Sequence, residues 1–249
     1  MALISLEDLE GLDEEQLDDA ADNPEPTGGD DQLLSHWRAV ASTHQVSVPP
    51  EMTGPIHEMT RNSQQREQLP FALLSRHEKM GEVLYEERLY PAGFWACVSS
   101  AQDLYEQSIS VAFMKLMRFI CKENSAGHYL GMTVPVVSHI HVAGGGGGGG
   151  VSFQKEVETA FFLPARFQSD PPRPADPDIT LVHREPIRVV ARTFFGTTTE
   201  ETVGHQIGLL WEIVGGASEL QADAYMVAVY ENPGVVRRRN EIWFIRRSL

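Results

Sequence analysis

Apolar positions are thinly spread over the first 69 residues and dense from about residue 70 onward. Across 1–69, carboxylates, prolines and small polar residues dominate and aromatics are few. Such a stretch buries too little apolar surface to offset its ordering entropy. The pattern therefore predicts an acidic, disordered arm over 1–69 and one folded domain over 70–249. Two amphipathic spacings stand inside the arm, Ile4, Leu6, Leu9, Leu12 and Leu17 among acids, then Leu33, Leu34, Trp37 and Val40. Each predicts a short, transient helix.

Within the domain the pattern occurs twice, each time as strand, strand, helix, strand, strand. In the first half, period-2 and continuous apolar runs predict strands over 83–88, 94–99, 129–142 and 151–162, with a helix over 102–122. The second half repeats the order with strands over 179–184, 187–195, 224–230 and 241–246 and a helix over 199–214. The stretch 169–178, rich in proline and aspartate, reads as the linker between pseudo-repeats at about 83–163 and 179–246. An α+β domain of eight strands in two ββαββ repeats, with two flanking helices, is the predicted architecture.

The helix over 199–214 carries its own end signals. Thr198 with Glu201 matches a capping box, and Gly215-Gly216 a C-terminal stop. Val203, Ile207, Leu210 and Val214 form its core stripe, and Glu200, Glu201 and His205 read as a solvated first turn rather than a metal site. On the helix over 102–122, Ile109, Phe113, Leu116 and Ile120 already complete a core stripe at 100° per residue. Apolar surface remains on the next shoulder, at Ser110, Met114, Met117 and Cys121, edged by Lys115, Arg118 and Lys122. A soft apolar shelf bordered by cations suits a flat amphiphile with carboxylates. The competing reading is ordinary core methionines under a solvated cationic face.

Charge changes the picture less than its size suggests. Of the formal −15, twelve carboxylates fall within 7–31, which leaves the remainder near −3. The domain offers no basic footprint for nucleic acid, while the acidic arm offers a surface to protein partners. Only Cys97 and Cys121 occur, without a CxxC pair, and the start lacks a basic region followed by an apolar run. A reducing, cytoplasmic setting is expected. No run approaches the ~20 apolar residues that span a bilayer, so a soluble protein without membrane insertion is expected. The seven glycines at 144–150 lie between strand-like segments and lack the following helix and Lys-Ser/Thr of a phosphate loop, so they read as a hairpin tip. GxSxG, HExxH and P-loop patterns are absent, which points away from common enzyme classes. His139 and His141 alternate on one strand face without a third ligand in register, and read as surface histidines.

Several ordered phrases carry a family resemblance. They are Tyr85-Glu86-Glu87-Arg88 with Gly93-Phe94-Trp95-Ala96, Gly131-Met132-Thr133-Val134-Pro135-Val136, Phe161-Phe162-Leu163-Pro164 with Pro171-Pro172-Arg173-Pro174, and Arg238-Arg239-Asn240-Glu241-Ile242-Trp243. Over about 83–246 the chain resembles the SOUL/heme-binding protein family. That resemblance implies a distorted, eight-stranded, barrel-like sheet flanked by two helices. It also implies heme or another porphyrin, bound along an apolar cleft beside the first of them with basic groups near the propionates. Matched position by position, it assigns the ligand to Phe113, Lys115, Met117 and Arg118, to which the shelf adds Met114, with Arg237 as the nearest basic residue after a loop at 231–236 that is one residue short and lacks a lysine. Ser110 stands where relatives carry an arginine, and Leu89 where some carry a histidine proposed as an axial ligand. A non-enzymatic carrier or buffer of heme in the cytoplasm is the function implied. The alternative is a protein-interaction module of the same fold, in cell-death or mitochondrial signalling, through the region 205–219. An enzyme built on the same fold is a third reading.

Overall fold

The computed structural model describes residues 27–143, 152–215, 219–231 and 237–247. The first acidic amphipathic pattern, the glycine tract, Gly216 and most of the loop at 231–236 lie outside them.

Order begins well before residue 70. Helix α1 spans Thr27–Thr43, where the Leu33, Leu34, Trp37 and Val40 spacing predicts one, and these first three side chains pack on the core. A 3-10 turn, Pro50–Met52, leads into α2, Thr53–Arg61. Met52, Ile56 and Met59, spaced four and three, fall on one side and are 1%, 1% and 5% exposed. Strand β1, Arg66–Gln68, then pairs in parallel with β5, Met132–Val134. The boundary expected at 70 thus cuts through the folded body. Average polarity hid a few apolar residues whose spacing suffices to bury them.

The strands predicted from the sequence are present, in order, as β3 (Glu82–Tyr90), β4 (Gly93–Ala101), β6 (Val136–Ala143), β7 (Ser152–Phe162), β8 (Ile179–Arg184), β9 (Ile187–Phe195), β10 (Leu220–Val229) and β11 (Arg239–Arg246). The long strand expected over 129–142 is divided at Pro135, which has no N–H to give a ladder. A ninth strand, β2 (Ala72–Lys79), joins the sheet in front of β3. The resulting order is β2-β3-β9-β11-β10-β6-β7-β4-β8, so the barrel-like sheet is open, with β2 and β8 at its edges. β6 and β7 pair as far as Ala143 and Ser152, the described residues on either side of the stretch 144–151.

Helix α3, Tyr105–Cys121, packs on β4 and β7, and α4, Glu200–Val214, on β11. Alternation along β11 sends Trp243 and Ile245 into the core that includes α3, and Ile242 and Phe244 into the core that includes α4. The N-cap of α4 is Thr199, one residue later than predicted: its hydroxyl accepts from the Thr202 N–H. Gly215 closes the helix in the left-handed region at φ 69°, as the stop signal requires.

Candidate functional site

Helix α3 is rotated relative to the expected stripe. Its buried side chains are Tyr105, Ser108, Ala112, Leu116, Met117, Phe119, Ile120 and Cys121. Ile109 and Phe113, expected in the core, are only partly covered and turn toward a cleft. Phe119 and the small Ala112 claim the sheet-facing side, which moves the free apolar surface one position back along the helix.

That cleft has a cavity of about 120 Å³. Ile109, Ser110 and Phe113 form one wall, Met132, Val136 and Val229 the other, and Arg66, Arg238 and Glu231 supply its charges. Arg66 Nη1 donates to the Tyr230 carbonyl at 3.4 Å. The Glu231 carboxylate accepts from the Arg239 N–H at 2.8 Å. Asn240 is fully buried at the same place, where its amide donates to the Gly196 and Arg238 carbonyls and its Oδ1 has no partner among the described residues.

The N-terminal helices complete the site. Trp37, Val40, Met52 and Ile56 lie over Phe113 and Met114 around a small cavity of about 60 Å³. A second, larger cavity of about 460 Å³ opens between α1, the start of α3 and the loop at Thr197 to Thr199. His44, just past the end of α1, borders all three spaces. Its Nδ1 is 2.7 Å from Ser110 Oγ. Burial lowers the His44 pKa below its ordinary value and outweighs nearby Glu106, with Arg238 acting in the same direction as burial. The imidazole is therefore neutral near pH 7.

The six residues expected at the ligand are not brought together. Phe113 lines the cleft and Met114 its covered extension. Met117 is fully buried in the core and presents no face to a ligand. Lys115 pairs with Asp178, and Arg118 Nε with Glu123 at 2.8 Å. Arg118 is nine positions after Ile109 and five after Phe113, so at 100° per residue it stands about 180° and 140° around the helix from those two cleft residues. The Arg237 guanidinium lies 4.9 Å over the Phe195 ring. Sequence reasoning missed His44, Arg66 and Arg238. The first two sit in the stretch read as a tail, and Arg238 is the middle residue of the basic run Arg237-Arg238-Arg239 before the terminal strand, a signal that was available.

Behind the cleft lies a buried polar network. Glu241 accepts from Arg88 Nη1 at 2.8 Å, Arg88 Nη2 at 3.1 Å, Tyr230 Oη at 2.8 Å and Trp243 Nε1 at 2.7 Å. Burial raises the Tyr230 pKa far above its ordinary value, so its hydroxyl stays protonated and donating. Both thiols, Cys97 and Cys121, are free and buried, and burial pushes each up to about 12. Among the described residues no group of His, Cys, Asp and Glu forms a metal site, and no helix is long and apolar enough to cross a membrane.

The family model described as SOUL heme-binding protein matches residues 66–245, from β1 to the end of β11. The chain belongs to the SOUL heme-binding family. Heme-binding protein 1 of Bos taurus is 31% identical over 180 residues, which is 72% of this chain and 91% of the bovine protein. Its Mus musculus counterpart is 32% identical over 179 residues, 71% of this chain and 91% of that protein. Heme-binding protein 2 of Homo sapiens is 26% identical over 166 residues, 66% and 78% of the two chains. The family match starts at Arg66, so α1, α2 and His44 precede the shared part.

The donor set of the cleft fits the group that the family description names. Its walls are apolar, Arg66 and Arg238 suit carboxylates as bidentate donors, and a neutral imidazole stands at its border.

Proposed function

We propose that this chain binds heme or a related tetrapyrrole in the cleft between α3 and the β10–β11 end of the sheet, as a non-enzymatic carrier or buffer in the cytoplasm. The observation that carries the reading is an apolar cleft on the Ile109–Phe113 face of α3 with Arg66 and Arg238 among its lining residues. Apolar walls cover the faces of a macrocycle, and guanidinium groups hold its carboxylates. Membership of a family described as heme-binding, and relatives named for heme, support the same ligand. When bound, heme would supply an iron centre; the protein supplies shape, charge and exclusion of water. An interaction module acting through α4 has less support, because Val203, Ile207 and Leu210 are buried beneath that helix.

Titration of the purified protein with hemin tests the proposal. A saturable Soret shift is expected, and Phe113→Asp and Arg238→Glu should each weaken binding about ten-fold or more, since each replaces a favourable contact with a charge that opposes the ligand. Lys122→Glu, on an exposed residue beyond α3, should leave affinity unchanged. Absence of saturable binding by the wild type overturns the reading.

A further inference from the structure

We propose that His44 is an axial ligand, its Nε2 coordinating the iron of a metallotetrapyrrole held in the cleft. The inference rests on the tetrapyrrole reading above and goes beyond it, because the family match begins downstream of this residue.

Position is the first argument. His44 lines the apolar cleft together with Ile109 and Phe113, and it also borders the larger cavity between α1 and Thr197 to Thr199. Among the described residues it is the one imidazole in the cleft lining. Other lining side chains with a donor atom for iron already have partners or are covered: Tyr230 Oη donates to the buried Glu241 carboxylate, the Glu231 carboxylate accepts from the Arg239 N–H, and Met132, in the opposite wall, is only 5% exposed.

Orientation is the second. Ser110 Oγ holds Nδ1 at 2.7 Å. With Nδ1–H donating to that hydroxyl, the lone pair lies on Nε2, which makes no hydrogen bond among the described residues. A ligating histidine is ordinarily fixed in this way, its second ring nitrogen donating to a neighbour that sets the tautomer and the ring plane. Ser110 thereby acquires a positioning role. An arginine there would point a cation at the imidazole, whereas a hydroxyl can accept a hydrogen bond from its Nδ1–H.

A histidine whose role was only to cap Ser110 would be served equally by glutamine.

The test compares hemin with metal-free protoporphyrin on wild type, His44→Ala and His44→Gln, using absorption and electron paramagnetic resonance spectra of the ferric complex. Wild type with hemin should give an imidazole-ligated spectrum. Both variants should lose it, bind hemin about ten-fold or more weakly, and regain the wild-type spectrum when free imidazole is added. Protoporphyrin, which has no iron to ligate, should bind all three proteins alike by fluorescence. His44→Gln retains a hydrogen-bonding partner for Ser110 and guards against a folding defect in His44→Ala. Identical hemin spectra in wild type and His44→Gln would overturn the axial role and leave the tetrapyrrole reading standing. Failure of wild type to bind either porphyrin would overturn both.

Discussion

Arg88 on β3 and Glu241 on β11 meet through two hydrogen bonds, of 2.8 and 3.1 Å, although β9 lies between their strands. Their side chains are 9% and 2% exposed. The pair is not symmetric. Arg88 is shared with Glu86, at 2.8 Å, and also donates to Tyr90 Oη at 3.1 Å. Glu241 takes its cation from Arg88 and its neutral donors from Tyr230 and Trp243. Because Tyr230 also lines the cleft, the network anchors the cleft's back wall.

Removing either partner should therefore have unequal consequences. Arg88→Met leaves Glu241 buried without its cation and should cost about 3–5 kcal/mol. Glu241→Gln leaves Arg88 still paired with Glu86 and should cost about 1–3 kcal/mol. The double variant should lose less than the two single losses together, since neither uncompensated charge then remains. Urea unfolding of the four proteins checks this, and single losses below about 1 kcal/mol would contradict the network's importance.

The same network shows what could be read in advance. The strands of both repeats follow from apolar alternation, and their order along the chain is as predicted. The pairing of Arg88 with Glu241 was not legible, because 153 residues separate them and no local period joins them. On α3 the spacing identified an amphipathic helix with spare apolar surface, but 100° steps alone do not say which of two adjacent stripes faces the sheet. In the structure Ala112, Met117 and Phe119 are all fully buried, with the Phe119 ring 6.2 Å from Phe161 of β7, so the inward stripe is the one that carries Met117. Arg118 then fell outside the site for the same reason. His44 escaped notice because a polar average over 1–69 concealed the few residues that fix α1 and α2 to the core.

Acid should weaken the fold in two separate windows. Burial lowers His139 to about 4, with His141 and Arg184 adding to it against Asp223. A base whose folded pKa lies below its unfolded value of 6.5 is protonated more readily in the unfolded chain. Its contribution is thus complete above 6.5 and lost as pH falls toward 4. By pH 5 the loss should reach about 2 kcal/mol, and His139→Gln should flatten that part of the profile while the smaller His44 contribution persists. Below about 4.5 a second loss follows at Glu86 and Glu87. Burial would raise both carboxyls, but hydrogen bonds from Arg88 and Arg76, and from Arg188 and Arg246, outweigh it and hold them below their ordinary value. Depressed carboxyls stabilise above their unfolded pKa and release that stability as pH falls through the folded one. Denaturant midpoints measured from pH 8 to pH 3 test both windows; an unchanged slope between pH 6.5 and 5 in His139→Gln would remove His139 from the explanation.

The N-terminal helices should matter to stability as well as to the cleft. Ile56 is 1% exposed and packs in the same core as Met117, Phe119 and Leu130, and Cys121 Sγ donates to the Pro55 carbonyl at 3.6 Å. Ile56→Ala should cost about 2–5 kcal/mol, the range for removing a buried aliphatic side chain where neighbours close in only partly. Deleting residues 1–69 removes Met52, Ile56, Met59 and Leu69 from the core together with β1, and uncovers Met114. Several such losses combined should lower Tm by about 10 °C or more, at about 2–4 °C per kcal/mol for a chain of this size. Deleting only residues 1–26 removes none of these contacts and should leave Tm within about 2 °C, the shift expected from less than 1 kcal/mol. Calorimetry on the two truncations separates the contributions. Equal melting of the 1–69 deletion and the full chain would mean that α1 and α2 rest on the domain without stabilising it, and the covered Phe113 and Met114 would then be open to ligand without cost.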